Sequence, residues 1–261
     1  MKKKLNYLII AVIGLITLYG LTACGLQPLV YPGATMHMPD SDYGCEAERV
    51  EFKAQDGTAL RGWFFNRGQN TPLVAFYGGN AMNVGGFTDI AKADPSRSYL
   101  LINYRGYGNS EGEPSESAIV KDSCHALSLA AEKLGKPASV TLVGFSLGSG
   151  VATQVAAAVK PDALILICPF DSITEVACNF VPFVPRLVPL DSWRSVDYAP
   201  GISCRVAILR ALKDSVVPPY STDSLIRAFS ATTPAVFEFD CDHNQIFSAP
   251  QFTETLKKQL P

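Results

Sequence analysis

Six short, largely apolar runs recur along the chain, and they limit its possible folds more than any other feature. The runs are Leu73–Tyr77, Tyr99–Asn103, Val140–Phe145, Ala163–Cys168, Val206–Leu209 and Val236–Phe239. Each run is too short for a typical helix, and it lacks the polar alternation of a strand with one solvated face. Strands that are buried on both faces, as in a parallel sheet, have this length and composition. We therefore expect six central strands covered by helices.

The segments between these runs supply the rest of the fold. An Asp56-Gly57 turn separates Val50–Ala54 from Leu60–Phe65 and predicts an antiparallel hairpin at the N-terminal side. Helices are predicted over Ser117–Leu134, Ser149–Lys160 and Gln251–Leu260. An antiparallel start followed by βαβ repeats predicts an α/β fold with a mostly parallel, doubly wound sheet.

Length and composition allow one large domain, which we place over 48–261. The chain has 261 residues, of which 48% are hydrophobic and 18% charged, enough for a sizeable core. Val181–Trp193 contains Pro182, Pro185 and Pro189, which predicts a short proline-rich cap inserted at about 171–200. This cap either shapes a substrate pocket or closes a surface loop. The net charge of −2, without a basic stripe, gives a nucleic-acid partner no electrostatic support.

The first 23 residues are typical of an export signal. Three lysines precede an apolar run from Leu5 to Leu18, and Leu21-Thr22-Ala23-Cys24 follows. This N-terminus resembles a bacterial lipoprotein signal peptide, in which the cysteine after the cleavage site is acylated. The resemblance implies a signal peptide over 1–23, lipidation at Cys24 and a lipidated tether over 24–47. An uncleaved anchor over Leu5–Ala23, 19 uncharged residues, is a second interpretation, and a plain secretory signal is a third.

A lipidated or anchored chain of this kind lies outside the cytoplasm, because the lysines stay inside. We therefore predict a protein of the bacterial cell envelope, anchored in the membrane by a lipid at Cys24 and facing the periplasm. Gly25 rather than Asp follows the cysteine, which by the same resemblance favours the outer membrane but leaves open which membrane holds the lipid. The six later cysteines either form disulfides in that compartment or are small buried hydrophobic residues, and no pairing is predicted.

The strongest chemical signal lies at the end of the third apolar run. Val140–Phe145 leads into Gly144-Phe145-Ser146-Leu147-Gly148, and a helix follows. A Gly-x-Ser-x-Gly sequence between a strand and a helix is typical of a nucleophilic serine at the apex of a sharp turn. The two glycines remove side chains that would collide across that turn.

A nucleophilic serine needs a base, and the base needs an acid to orient it. Of the three histidines only His243 follows Ser146, just after the last apolar run; His125 lies in a predicted helix and His37 in the predicted tether. Asp214 follows the Val206–Leu209 run and is the predicted acid. The rival acids, Asp240 and Asp242, are more simply explained by solvation of their loop. The carboxyl ends of parallel strands meet at one edge of a sheet, so these residues can converge.

In this order, Ser146, Asp214 and His243 make the sequence resemble the serine hydrolases of the α/β-hydrolase fold, from about Glu48 to Leu260. Asn103–Gly112 is similar to the Tyr-Arg-Gly-Tyr-Gly-x-Ser-x-Gly block of a small, often membrane-associated branch of that superfamily. Tyr77–Ala81 resembles the branch's Phe-His-Gly-Asn-Ala oxyanion loop.

The resemblance implies an oxyanion hole made of two backbone N–H groups, from Leu147 and Asn80. Gly78 stands where the branch usually has His, which leaves the Gly79 N–H as an alternative donor. Arg105 lies in Asn103–Gly112, which we call the tyrosine-rich block. It is expected to pair with a neighbouring acid or with backbone carbonyls, with contact to substrate as the alternative.

The predicted function is hydrolysis of carboxylic ester or thioester bonds through an acyl-enzyme intermediate, on a small-molecule or acylated substrate. A serine peptidase of the same fold, similar to aminopeptidases, is one alternative, and a non-catalytic surface-anchored binding protein is another. No metal or organic cofactor is implied, because the sequence has no clustered metal ligands and no dinucleotide-binding fingerprint after its first strand.

Overall fold

The computed structural model describes residues 30–36, 38–180 and 191–261, and these residues form one eight-stranded sheet. Its strands are β1 (Arg49–Lys53), β2 (Ala59–Phe65), β3 (Leu73–Tyr77), β4 (Ser98–Ile102), β5 (Val140–Phe145), β6 (Ala163–Ile167), β7 (Arg205–Ala211) and β8 (Ala235–Phe239). The order across the sheet is β1-β2-β4-β3-β5-β6-β7-β8. All eight strands lie where the sequence predicts a strand.

The pairing confirms the predicted sheet. β1 pairs with β2, and β2 with β4, in antiparallel fashion, with Phe52 opposite Leu60 in the hairpin. Every pair from β4 to β8 across the sheet is parallel. Gly57 adopts φ 86° in the hairpin turn, a left-handed conformation that glycine reaches without steric cost.

The helices of the described residues include long ones that the sequence predicts and shorter ones that it does not. They are α1 (Thr88–Lys92), α2 (Glu116–Lys133), α3 (Leu147–Val159), α4 (Ile173–Phe180), α5 (Ser195–Tyr198), α6 (Pro219–Ala228) and α7 (Phe252–Gln259). Only α2, α3 and α7 coincide with predicted helical stretches. Short 3₁₀ turns cover Pro32–Ala34, Asp40–Tyr43, Glu46–Glu48, Val84–Phe87, Ala199–Gly201 and His243–Ser248. Helix α6 begins at Pro219, where the fixed φ of proline suits the first helical position.

Two hydrophobic clusters cover the two faces of the sheet. Successive strand residues point to opposite faces, so Leu73 and Ala75 join one cluster while Val74 and Phe76 join the other. Residues of α2, α3 and α6 belong to the first cluster, and residues of α1 and α7 belong to the second. Both faces of the central strands are thereby buried, which leaves the carboxyl edge of the sheet as the place where polar loops meet.

The N-terminal part of the described chain lies against the domain. Val30 is 4% exposed and Tyr31 is 1% exposed, and Asp40 is also buried. The tether predicted over 24–47 stays a prediction as a domain boundary, but its residues 30–36 include side chains that are part of the core.

Several predictions fall outside the described residues. They concern the signal peptide over 1–23, the anchor interpretation of Leu5–Ala23, the lipid site at Cys24, the placement of His37 and the stretch 181–190 of the predicted cap. Helices α4 and α5 are the described part of the 171–200 insertion. Across residues 30–36, 38–180 and 191–261, every helix is too short or too polar to cross a bilayer.

Candidate active site

Ser146 lies at the apex of the turn between β5 and α3. Its backbone has φ 52° and ψ −118°, a conformation that a residue with a side chain rarely adopts. Its N–H donates to the Ile167 carbonyl of β6 at 2.9 Å, and its carbonyl accepts from the Ser149 N–H at 2.8 Å. The surrounding strands therefore hold a strained residue in place, and its hydroxyl-bearing side chain is half-buried.

The two glycines of the motif are needed for this turn. A Cβ at Gly144 would lie 2.1 Å from the Gly148 carbonyl oxygen, and one at Gly148 would lie 2.0 Å from the Tyr77 carbonyl oxygen. Neither atom can move away cheaply, because both belong to the backbone. The glycines let the first turn of α3 approach the end of β3 closely.

Asp214 and His243 form a buried hydrogen-bonded pair, which we call the His–Asp pair. The His243 Nδ1 lies 2.7 Å from Asp214 Oδ2, and the two side chains are 4% and 5% exposed. A carboxylate only accepts hydrogen bonds, so His243 Nδ1 carries the proton and donates it. The other carboxylate oxygen, Oδ1, accepts from the N–H groups of Val216 at 2.9 Å and Val217 at 2.7 Å. Asp214 thus fixes the tautomer of His243 and leaves its Nε2 as an acceptor.

A second carboxylate, Asp242, stabilises the loops around the pair. Its Oδ1 accepts from the N–H groups of Ser215 and His243, and its Oδ2 accepts from the Ser215 hydroxyl. The Ser215 N–H and hydroxyl, then the His243 N–H, lower the pKa of Asp242. Asp242 therefore caps the short helix that begins at His243, whereas the Asp214 carboxylate contacts the imidazole itself.

Phe145 connects the His–Asp pair with Ser146. The His243 ring lies against the ring of Phe145, the residue before Ser146, with centroids 5.0 Å apart. The imidazole is thus placed at the end of the strand that carries the serine. The structure brings the predicted serine, base and acid to one edge of the sheet, as expected from β5, β7 and β8.

On the other side of Ser146 lies the segment Gly78–Asn80 after β3, which we call the glycine loop. A Cβ at Gly79 would lie 2.9 Å from the Phe145 ring and 3.6 Å from Ser146 Cβ. Within the described chain, the backbone N–H groups of Gly79 and Asn80 donate no hydrogen bond. Leu147 is the first residue of α3, where a helical N–H has no partner within the helix. The free donors and the serine therefore lie side by side.

Comparisons with known proteins identify the family to which this fold belongs. A family model described as alpha/beta hydrolase fold matches residues 71–189. YNL320W, an uncharacterized membrane protein of Saccharomyces cerevisiae, is 32% identical over an alignment of 227 residues that covers 81% of this chain and 80% of that protein. The chain belongs to the alpha/beta hydrolase fold family.

Two further similarities come from a vertebrate sequence and from a solved structure. A Danio rerio protein, lysophosphatidylserine lipase ABHD12, is 34% identical over 181 residues, 60% of this alpha/beta hydrolase and 47% of that protein. The esterase Pf2001 of Pyrococcus furiosus superposes with a TM-score of 0.68 at 16% identity, over 86% of this chain and 93% of the esterase. At this identity, the similarity to the Pyrococcus furiosus esterase shows a shared fold only.

One residue beside the His–Asp pair of this alpha/beta hydrolase was not singled out by the sequence. Cys168, which directly follows β6, is 1% exposed and has φ 46°, and its thiol lies within 4.8 Å of the Asp214 carboxylate and the His243 imidazole. Burial, and then the negative charge of Asp214, raise the pKa of this thiol well above its ordinary value. Its place in an apolar run predicted only a small buried residue.

Cys168, Asp214 and His243 also offer donor atoms that lie within 4.8 Å of one another. Two ligands on one zinc ion, with bonds of about 2.0–2.1 Å at tetrahedral angles, lie roughly 3.3 Å apart. The 2.7 Å between His243 and Asp214 is too short for that arrangement and is that of a hydrogen bond. The contact between His243 and Asp214 is therefore better explained as a direct hydrogen bond than as two ligands sharing a metal ion.

Arg105 of the tyrosine-rich block is an ion-pairing residue in this alpha/beta hydrolase. Its guanidinium binds both oxygens of Asp122 in α2, at 2.5 and 2.9 Å, and Asp56 of the hairpin turn at 2.7 Å. It therefore joins the hairpin to α2, as its predicted pairing with an acid requires. His125 is half-buried within α2.

The cysteines of the described residues are free thiols: Cys45, Cys124, Cys168, Cys178, Cys204 and Cys241. Cys168 and Cys241 are buried, as the packing interpretation expects.

Proposed function

We propose that this protein is a serine hydrolase that cleaves carboxylic ester or thioester bonds through an acyl-enzyme intermediate. The observation that carries the proposal is the His–Asp pair, whose imidazole is buried against the residue that precedes Ser146. A buried carboxylate with both oxygens occupied and a histidine with a fixed tautomer are what a serine needs to become a nucleophile.

In the proposed reaction, His243 Nε2 removes the proton of the Ser146 hydroxyl while the serine oxygen attacks the acyl carbon. The tetrahedral intermediate then collapses, and the alcohol or thiol leaves with the proton held by His243. Water, deprotonated by the same imidazole, attacks the acyl-serine ester and releases the carboxylic acid and free Ser146. Asp214 stabilises the imidazolium in both steps and does not itself take up the proton.

The negative charge that develops on the acyl oxygen requires donors that are already in place. We assign these donors to the backbone N–H groups of Leu147 and Asn80, with Gly79 as the alternative to Asn80. Their support is the position of the glycine loop beside Ser146 and the absence of any other acceptor for them among the residues that the structure describes. One such donor is worth about 10²–10³ in kcat.

An acyl ester is favoured over a peptide by the similarity to the Danio rerio protein named a lysophosphatidylserine lipase. An aminopeptidase-like activity would require recognition of a free amino group, whereas Asp214 and Asp242, the two carboxylates beside His243, are already hydrogen-bonded within their loops.

A fluorophosphonate probe and a pair of chromogenic substrates test the proposal. The full chain, purified in detergent, should be labelled by the probe and should hydrolyse short acyl esters faster than aminoacyl anilides. Ser146→Ala should abolish both labelling and turnover. Faster cleavage of the anilides would support the peptidase instead, and an unlabelled wild-type protein would leave only the binding-protein interpretation.

We also propose that Cys24 carries a lipid that anchors the protein in the bacterial cell envelope, on the periplasmic face. The support is the sequence of residues 1–25 and the similarity to a yeast membrane protein. Metabolic labelling with palmitate should tag the wild-type chain and not Cys24→Ala. Palmitate incorporation that survives this substitution would contradict the assignment.

A further inference from the structure

Asn80 is held by three hydrogen bonds that leave only its backbone N–H free. Its side-chain Nδ2 donates to the Val30 carbonyl at 2.6 Å, and its Oδ1 accepts from the Tyr107 hydroxyl at 2.8 Å. Its own carbonyl accepts from the Gly33 N–H at 3.2 Å. Because these three hydrogen bonds fix Asn80, the direction of its backbone N–H is fixed as well.

The tyrosine-rich block supplies a second support for the same loop. The Tyr104 hydroxyl donates to the Gly78 carbonyl at 2.9 Å, two residues before Asn80. Tyr104 and Tyr107 also contact each other edge to face, with ring centroids 5.4 Å apart. Both are buried, at 5% and 0% exposure, so neither is placed to meet a substrate.

The N-terminal segment Val30–Gly33 closes this arrangement from the other side. A Cβ at Gly33 would lie 2.2 Å from the Tyr107 ring and 2.5 Å from the Asn80 carbonyl oxygen. Only glycine allows the segment to approach both groups so closely. The hydroxyl of the neighbouring Tyr31 donates to Asp191 and accepts from the Trp193 indole N–H, which fixes the segment to the domain.

We infer that Tyr104, Tyr107 and the segment Val30–Gly33 are positioning residues of the oxyanion hole. They act through Gly78 and Asn80 and touch neither the substrate nor Ser146. The inference rests on the proposed function, since it assigns a role to residues that surround the proposed donors. The tyrosine-rich block, and a segment close to the proposed lipid site, thereby gain a role in holding the oxyanion donors in place.

Transition-state stabilisation by a hydrogen-bond donor depends on its aim at the developing charge and needs no change in the binding of the ground-state carbonyl. Loss of one positioning hydroxyl should therefore lower kcat and leave KM nearly unchanged. A trifluoromethyl ketone provides an independent measure. Ser146 adds to its carbonyl carbon, the serine proton passes to His243, and the ketone oxygen becomes an anion in the same hole.

The deciding variant is Tyr107→Phe, which keeps the buried ring and removes only the hydroxyl. We expect kcat for a short acyl ester and the affinity for the ketone inhibitor each to fall about tenfold, the equivalent of one lost hydrogen bond, with KM within twofold of wild type. A purely structural tyrosine would lower the melting temperature without this parallel loss.

Tyr99→Phe is the matched control. Tyr99 is also buried, and its hydroxyl donates to a carboxylate, Asp94, at 2.7 Å; in the sheet it pairs with Val74, five residues before Gly79. This variant should lose a similar amount of stability but keep the wild-type kcat and inhibitor affinity.

Two further variants test the route through Asn80. Asn80→Ala keeps the backbone N–H but removes the acceptor of Tyr107, so Tyr107→Phe should have no additional effect in that background. Gly33→Ala, which forces the segment away from Asn80, should lower kcat as well, whereas Gly201→Ala, at a glycine with open space around it, should not.

The outcomes separate this inference from the proposed function. A wild-type protein that reacts with the fluorophosphonate, together with a Tyr107→Phe variant of unchanged kcat and inhibitor affinity, overturns the positioning role alone. Additive losses in the Asn80→Ala background overturn it as well. A wild-type protein that fails to react overturns both. Should Tyr107→Phe not fold, the Gly33→Ala and Gly201→Ala pair gives the same decision.

Discussion

The His–Asp pair and the glycine loop lie on opposite sides of Ser146, and they are supported in different ways. Asp214 is held by the N–H groups of Val216 and Val217, two and three residues further along its own loop. The glycine loop is held by residues far away in sequence: Tyr104 is 26 residues from Gly78, and Val30 is 50 residues from Asn80.

Because of this difference, the His–Asp pair and the glycine loop should respond differently to substitutions nearby. The carboxylate of Asp214 accepts two backbone N–H groups of its own loop, so its position does not depend on a distant side chain. The glycine loop depends on contacts that form only when the N-terminal segment and the tyrosine-rich block are both folded onto the domain. We therefore expect kcat to fall most when a residue of the His–Asp pair itself is replaced. Replacement of a supporting neighbour should lower kcat more at the glycine loop than at the His–Asp pair.

The largest effect should come from Asp214→Asn. The amide can donate to His243 and thereby favour the wrong tautomer, so kcat for a short acyl ester should fall about 10⁴-fold. Asp242→Asn is the matched control, because Asp242 bonds backbone and Ser215 but not the imidazole ring. Steady-state kinetics on both variants make the test, and equal losses at the two positions would mean that the acid has been wrongly assigned.

Gly79→Ala should lower kcat by a smaller but still large factor. The added methyl group would meet the Phe145 ring at 2.9 Å and push the glycine loop away from Ser146. A displacement of about 1 Å can lower the rate about 10²-fold. Gly86→Ala, at an exposed glycine with nothing within 4 Å, should stay within twofold of wild type. Comparable kcat values for the two alanine variants would remove the glycine loop from the mechanism.

The smallest effect on kcat is expected at Cys168, which lies beside the His–Asp pair. Cys168→Ala removes a neutral neighbour of the Asp214 carboxylate and leaves the two backbone N–H donors in place, so kcat should fall by less than about fivefold. Because burial and Asp214 raise the pKa of the thiol, it stays protonated at pH 8 and should resist iodoacetamide in the native protein. Mass spectrometry of alkylated native and unfolded protein gives the readout; rapid native modification at Cys168 would show that it is accessible as a thiolate.

The sequence predicts the sheet well because its signals are local. Each central strand is a compact apolar run, and Asp56-Gly57 defines the hairpin turn, so the strands needed no long-range information. Gly144, Ser146 and Gly148 lie within five residues of one another, and His243 and Asp214 each follow a recognisable strand. The positions of these side chains at one edge then follow from the parallel arrangement.

What the sequence does not reveal are contacts between distant segments. Nothing in the composition of Val30–Gly33 distinguishes a residue of a tether from one that is buried against Tyr107. The thiol of Cys168 looks like any small core residue until the end of β6 is placed next to β7. Helix α6 was missed because Pro218-Pro219 is also typical of a loop.

The hydrogen bond from Asn80 to Val30 sets a geometric limit on where this protein can work. Val30 is the sixth residue after Cys24, and even a fully extended chain of that length reaches only about 20 Å. If Cys24 is acylated as proposed, Ser146 is confined to a thin layer above the bilayer, whatever conformation the intervening residues adopt. For a substrate that resides in the membrane, its amount per unit of membrane area would then set the rate of turnover.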